Sequence, residues 1–145
     1  MKILSALFAL VLAGTAFAFQ PGEDGSWYDP AHDGQGFSVS TFDDGWAAAW
    51  FTYDPSGNQA WFVTGLVEYG ETAPLYFPMG FFPAHSVDIG EPVGTLTVTP
   101  IDTGYRARYK LDLWDSECMF APGQPIPPRP GPVACAGEFN LIQLQ

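Results

Sequence analysis

The sequence predicts an all-β domain: an antiparallel meander of eight strands closed as an up-and-down barrel, with a two-sheet β-sandwich as the open alternative. Three observations carry this expectation. Short runs rich in Val, Thr, Phe, Tyr and Trp recur along residues 26–143, clusters of Asp, Pro, Gly and Asn stand between them, and no stretch sustains a helical apolar period. Sequential strands joined by tight turns pair with their neighbours, and eight strands are enough for such a sheet to close. Closure also removes the unpaired edges that invite aggregation.

The first element is a secretory signal over residues 1–18. Lys2 precedes an apolar stretch from Ile3 to Leu12, and Ala16-Phe17-Ala18 places small residues where a signal peptidase reads, with cleavage expected after Ala18. The apolar run falls short of the ~20 residues that span a bilayer as a helix. No membrane insertion is therefore expected, and residues 19–145 form one exported β-domain, periplasmic or extracellular. Phe19 to Asp24 read as a short polar leader to that domain.

Strands are predicted at Ser26–Tyr28, Gly36–Phe42, Trp46–Tyr53, Gln59–Glu68, Pro74–Phe81, Val93–Thr99, Tyr105–Leu113 and Gly137–Gln143. Asp43-Asp44-Gly45, Asp54-Pro55-Ser56-Gly57-Asn58 and Thr103-Gly104 are turn chemistry, since Pro fixes φ and Gly or Asn accepts positive φ. From Asp115 to Ala136 the regular pattern gives way to a Pro-rich loop carrying Pro122, Pro125, Pro127, Pro128, Pro130 and Pro132. Cys118 and Cys135 are the only cysteines, and in an oxidising compartment they are expected to form one disulfide at the base of that loop. Such a bridge contributes ~3 kcal/mol in the chain-entropy model.

Charge excludes some partners. Loss of Lys2 leaves Arg106, Arg108, Lys110 and Arg129 against sixteen acidic residues, one unit more negative than the −11 of the full sequence. A chain so acidic repels nucleic-acid phosphates and anionic headgroups. Period-two alternation puts Arg106, Arg108 and Lys110 on one face of their strand, opposite Tyr105, Ala107, Tyr109 and Leu111. That stripe is either an anion contact or a solvated exterior whose cations offset neighbouring carboxylates.

Reactive chemistry is sparse. His32 and His85 are the only imidazoles, and two Cys with two distant His do not make a zinc set, so no metal or cofactor is expected. Pro83-Ala84-His85-Ser86-Val87-Asp88 holds the residue types of a triad, but no nucleophile elbow, phosphate loop or zinc-helix motif accompanies it. The expectation is a protein that is not an enzyme, with a small hydrolase or a secreted protease inhibitor as alternatives.

Aromatics supply the stronger signal. Trp27, Trp46, Trp50, Trp61, Tyr53 and Phe62 gather in the first half of the exported domain, and around Trp46–Phe51 both faces of one strand are apolar. One face of such a strand cannot simply meet water. A ligand inside the barrel, a partner chain outside it, or the Pro-rich loop folded over it would each cover the surplus. The binding set is accordingly Trp27, Trp46, Trp50, Tyr53 and Trp61, with Asp29 and Asn58 as weaker polar members. The partner is a small molecule, a glycan or an envelope protein; stacked rings flanked by polar acceptors are what a carbohydrate-binding module offers sugars.

Gly25-Ser26-Trp27-Tyr28-Asp29-Pro30 with Gly34-Gln35-Gly36-Phe37, and Trp50-Phe51-Thr52-Tyr53-Asp54-Pro55 with Gly57 and Trp61, resemble the motifs of a group of exported proteobacterial β-domains. Val93–Val98 and Gly137–Leu141 resemble later segments of that group, so the likeness covers most of the exported chain. The resemblance implies export and a compact β-domain, and carries no activity or ligand to any residue. The shape is also similar to avidin and lipocalin barrels, an analogy of form alone. The resulting expectation is a noncatalytic binding or interaction module of the cell envelope.

Overall fold

The computed structural model describes residues 18–32, 34–53, 58–78, 90–112 and 136–144. They form β1 Gly25–Tyr28, β2 Gly36–Thr41, β3 Gly45–Tyr53, β4 Gln59–Val63, β5 Val67–Glu68, β6 Ala73–Leu75, β7 Gly94–Ile101, β8 Gly104–Leu111 and β9 Ala136–Gln143. Every pairing is antiparallel, and the strands run β4-β3-β2-β1-β9-β8-β7-β6 across the sheet. The outer members β4 and β6 meet through one bridge, where Val63 and Tyr76 exchange N–H···O bonds of 3.0 and 2.8 Å. The eight-stranded meander is thus nearly closed into a barrel, with its first and last strands paired at Trp27–Gln143 and Tyr28–Ile142.

The predicted strand Gln59–Glu68 divides into β4 and β5, both paired with β3. Ala49 opposes Val63 but Trp46 opposes Val67, so three residues of one strand face two of the other. This is a β-bulge, with Gly65 at φ +68° supplying the left-handed conformation. Thr64 repairs the ladder there: its N–H donates to the Ala48 carbonyl at 3.0 Å and its Oγ1 accepts the Ala48 N–H at 2.9 Å.

Two further boundaries differ. Of the strand expected at Pro74–Phe81, the described residues 74–78 pair only through β6 and the Tyr76 bridge. The supposed polar leader is also corrected, because Phe19 is fully buried in the core. Sealing the end of a barrel with one large ring outweighs the polarity of its neighbours, being worth ~1.5–3 kcal/mol. The turn at 54–57, residues 79–81, His85, the Pro-rich loop up to residue 135 and the Cys118–Cys135 disulfide lie outside the described residues.

Inward-facing rings fill the barrel in two layers. In one, Phe19 lies 5.4 Å from Trp27, 5.3 Å from Trp46 and 4.8 Å from Tyr105 between ring centroids. In the other, Trp50 lies 5.7 Å from Phe37, 5.2 Å from Phe62, 4.6 Å from Tyr109 and 5.6 Å from Phe139. Trp46 and Trp50 are four residues apart on β3, ~13 Å along the strand, which sets the separation of the layers. Val98, Ala107, Leu96, Leu111 and Leu141 complete the same core.

Candidate functional site

Because the rings of Trp27, Trp46 and Trp50 are spent on the interior, the surplus aromatic surface falls on the outside of the β3–β4 hairpin. Pairing puts Phe51 opposite Trp61 and Tyr53 opposite Gln59, all projecting from the outer face. Phe51 is 50% exposed and Trp61 43%, the largest rings left open to solvent in this hairpin. On the other flank of β3, Phe51 faces Gly36 and Ala49 faces Ser38. Small residues there leave the Phe51 ring unobstructed.

A recess of about 370 Å³ opens beside these rings, lined by Gly34, Phe51, Thr52, Tyr53, Gln59, Ala60 and Trp61. Gly34 adopts φ +78°, and a Cβ there would fall 2.7 Å from the Tyr53 hydroxyl. A glycine is therefore needed twice, for the backbone and for the close approach of Tyr53. Thr52 forms the floor and donates its hydroxyl to Gln35 Oε1 at 2.5 Å. Gln35 is itself buried, and its Nε2 has no hydrogen-bond partner among the described residues. The recess thus combines ring faces on its rim with a phenol, two amides and a hydroxyl within or beneath it.

No family model, curated protein or solved structure matches the chain.

The remaining members of the predicted binding set go elsewhere. Trp46 and Trp50 are wholly interior and Trp27 is buried, so none presents a ring to a ligand from outside. Asp29 is a structural clamp. Its carboxylate accepts N–H groups from Ala31 and Asn140 at 2.9 Å each and pairs with His32 Nδ1 at 2.9 Å. These bonds tie the β1–β2 connection to β9, and the His32 ring sits edge-on to Phe139 at 5.4 Å. Asn58 stands exposed next to Gln59, at the mouth of the hairpin.

Phe51 and Gln59 are the site residues that sequence reasoning passed over. The signal was present in β4, where Gln59, Trp61 and Val63 share one parity and Ala60 and Phe62 the other. A strand face opening on Gln59 at a hairpin mouth is the solvent face, which places Trp61 outside and, by pairing, Phe51 beside it.

The cationic stripe on β8 is offset in large part, its three cations standing beside two carboxylates. Arg108 pairs with Glu138 at 3.1 Å, Arg106 approaches the same carboxylate at 4.0 Å, and Lys110 pairs with Asp112 at 3.3 Å. Such exposed pairs contribute little to stability, but they remove the stripe as a concentrated anion site. Among the described residues no three His, Cys, Asp or Glu side chains gather as a metal site. Among the same residues no helix is long and apolar enough to cross a membrane.

Proposed function

We propose that this chain is an exported, noncatalytic binding module of the cell envelope and that it holds a neutral glycan on the outer face of the β3–β4 hairpin. The observation that carries the reading is the cross-strand pair Phe51–Trp61, exposed at the lip of a recess that also holds Tyr53 and Gln59. The C–H face of a pyranose ring is apolar and its rim is a ring of hydroxyls. Aromatic faces beside amide and phenol groups complement both. The filled interior favours this outer site over a carrier that encloses its ligand, as lipocalin-like barrels do. The formal charge of −11 favours an uncharged sugar over an acidic one.

Export is supported by Lys2, the Ile3–Leu12 apolar run and Ala16-Phe17-Ala18.

The test is titration of the exported protein with neutral oligosaccharides of cello-, xylo-, malto- and chito- type, followed by indole fluorescence and gel retardation. At least one series should bind, and Trp61→Ala or Phe51→Ala should weaken it tenfold or more, ~1.4 kcal/mol, with melting unchanged. Absence of binding across the four series, together with stable capture of an envelope protein that Trp61→Ala abolishes, would replace the sugar by a protein partner. Binding that survives both substitutions would remove the hairpin face as the site.

A further inference from the structure

Phe19 and the residue before it occupy a position that the folded barrel cannot give up to a peptidase. The Phe19 ring is fully buried between Trp27, Trp46 and Tyr105, and Ala18 is buried as well, its N–H donating to the Val98 carbonyl at 2.7 Å. The bond between Ala18 and Phe19 is the one the small-residue motif marks for cleavage. Ala18 is also the only non-glycine with positive φ among the described residues, at 73°, a conformation costing an L-residue ~1–2 kcal/mol. The acceptors on either side are specific: Val98 O holds the nitrogen of Ala18, and Glu23 Oε2 accepts the N–H of Gln20 at 2.6 Å. The Phe19 nitrogen lies between those two in the chain. Glu23 is itself fixed, since the Tyr105 hydroxyl donates to the same carboxylate oxygen.

We infer that Phe19 becomes the first residue of the exported protein and serves as the end plug of its barrel, its α-ammonium held by the Glu23 carboxylate and the Val98 carbonyl. Cleavage relieves the strained Ala18 and frees Val98 O, which the ammonium takes over with one of its three N–H donors. A single terminal group then satisfies a backbone acceptor and gives Glu23 a cation, while the ring it carries closes the aromatic layer. A peptidase requires an extended, accessible bond, so cleavage precedes docking of Phe19. The order is processing first, closure second. This inference rests on the export reading and is independent of the glycan.

The experiment expresses the full 145-residue chain in a bacterial host and measures intact mass and N-terminal sequence of the exported product. It then compares α-amine acylation at pH 7 in that product, in Glu23→Gln, and in a chain that retains Ala16-Phe17-Ala18 ahead of Phe19, whose α-amine is three residues removed from Phe19. A product beginning at Phe19, whose amine reacts about tenfold more slowly than in both variants, is the expected result, a factor equal to about one pKa unit. Phe19→Ala should lower the melting temperature by more than about 5 °C. A product beginning at Phe17 or Ala18, or beyond Phe19, overturns Phe19 as the terminal plug while leaving export intact; an uncleaved chain overturns export and plug together. Equal acylation rates in the exported product and the chain retaining Ala16-Phe17-Ala18 overturn the ammonium pairing even if Glu23→Gln fails to fold.

Discussion

Two tyrosines on the inward face of β8 show how the same residue type is treated differently by its surroundings. Tyr105 reaches Glu23 with its hydroxyl, whereas the Tyr109 hydroxyl is buried without a hydrogen-bond partner among the described residues. Burial pushes the Tyr109 phenol well above its ordinary range; burial followed by the Glu23 contact does the same to Tyr105. A phenol whose folded pKa lies above its unfolded value stabilises the fold fully below about pH 10, and that contribution is lost as pH rises past it. Alkaline unfolding is therefore expected to begin above about pH 10. An orphaned buried hydroxyl costs its own desolvation, so Tyr109→Phe should leave stability at neutral pH unchanged or raise it by up to ~1 kcal/mol and move the alkaline limb upward. Chemical denaturation at pH 7 and at pH 11 checks both parts, and a loss above ~1 kcal/mol at pH 7 would mean that the hydroxyl has an uncounted partner. On the acid side Asp24 behaves oppositely. Its carboxylate accepts the Thr41 N–H at 2.6 Å and the Thr41 hydroxyl at 2.9 Å; the backbone bond, then the side-chain bond, holds its pKa below the usual value of 3.8. A lowered folded pKa means stability present above that value and lost as pH falls through it. Melting temperatures between pH 6 and pH 2 should fall less steeply in Asp24→Asn than in the parent.

Among the elements, the β4–β5 bulge and the glycine opposite its end set how β3 pairs with β4 and β5. Gly65 has open space around the position of an added Cβ, so its substitution meets only the left-handed backbone. Gly65→Ala is expected to cost ~1–2 kcal/mol. At Gly45 the backbone is unstrained, but an added Cβ would collide with the carbonyl of Val67 across the pair. Gly45→Ala should therefore cost more than Gly65→Ala and should loosen the β3–β5 pairing, and equal losses by urea denaturation would contradict the steric account. The elements also differ in how far their residues made them legible in the sequence. The alternation of β8 was readable in full, because charged and apolar residues strictly alternate and only one phase buries the apolar set. The bulge was not, because Gln59 to Glu68 keeps strand-forming residues throughout and a single extra residue leaves no compositional trace beyond Gly65. In β3 the elements were legible but the facing was not. With Ala or an aromatic at every position from Trp46 to Phe51, neither parity was penalised by polarity, and only register with β4 decides it.

At the scale of the whole molecule, the four described tryptophans, Trp27, Trp46, Trp50 and Trp61, divide into a folding set and an exposed one, and the division is measurable. Trp46 and Trp50 each anchor one of the two aromatic layers, and Trp27 is buried in the first with Phe19. Truncating such a ring to alanine typically costs ~3–5 kcal/mol through lost transfer energy and the cavity left behind. A domain this size holds ~5–15 kcal/mol in total, so Trp50→Ala consumes a large share of it. The barrel magnifies the effect, because Trp50 touches rings from β2, β4, β8 and β9 and no local subset of strands can retain its order without it. Trp61, at the solvent face, meets no such requirement, and surface truncations usually stay within ~0.5 kcal/mol. Trp50→Ala should thus melt far below the parent or fail to melt cooperatively, while Trp61→Ala should melt with the parent and lose sugar retention. If calorimetry instead gave both variants similar losses, the outer rings would belong to the core of the fold, and the reading of β3–β4 as a ligand face would have nothing left to stand on.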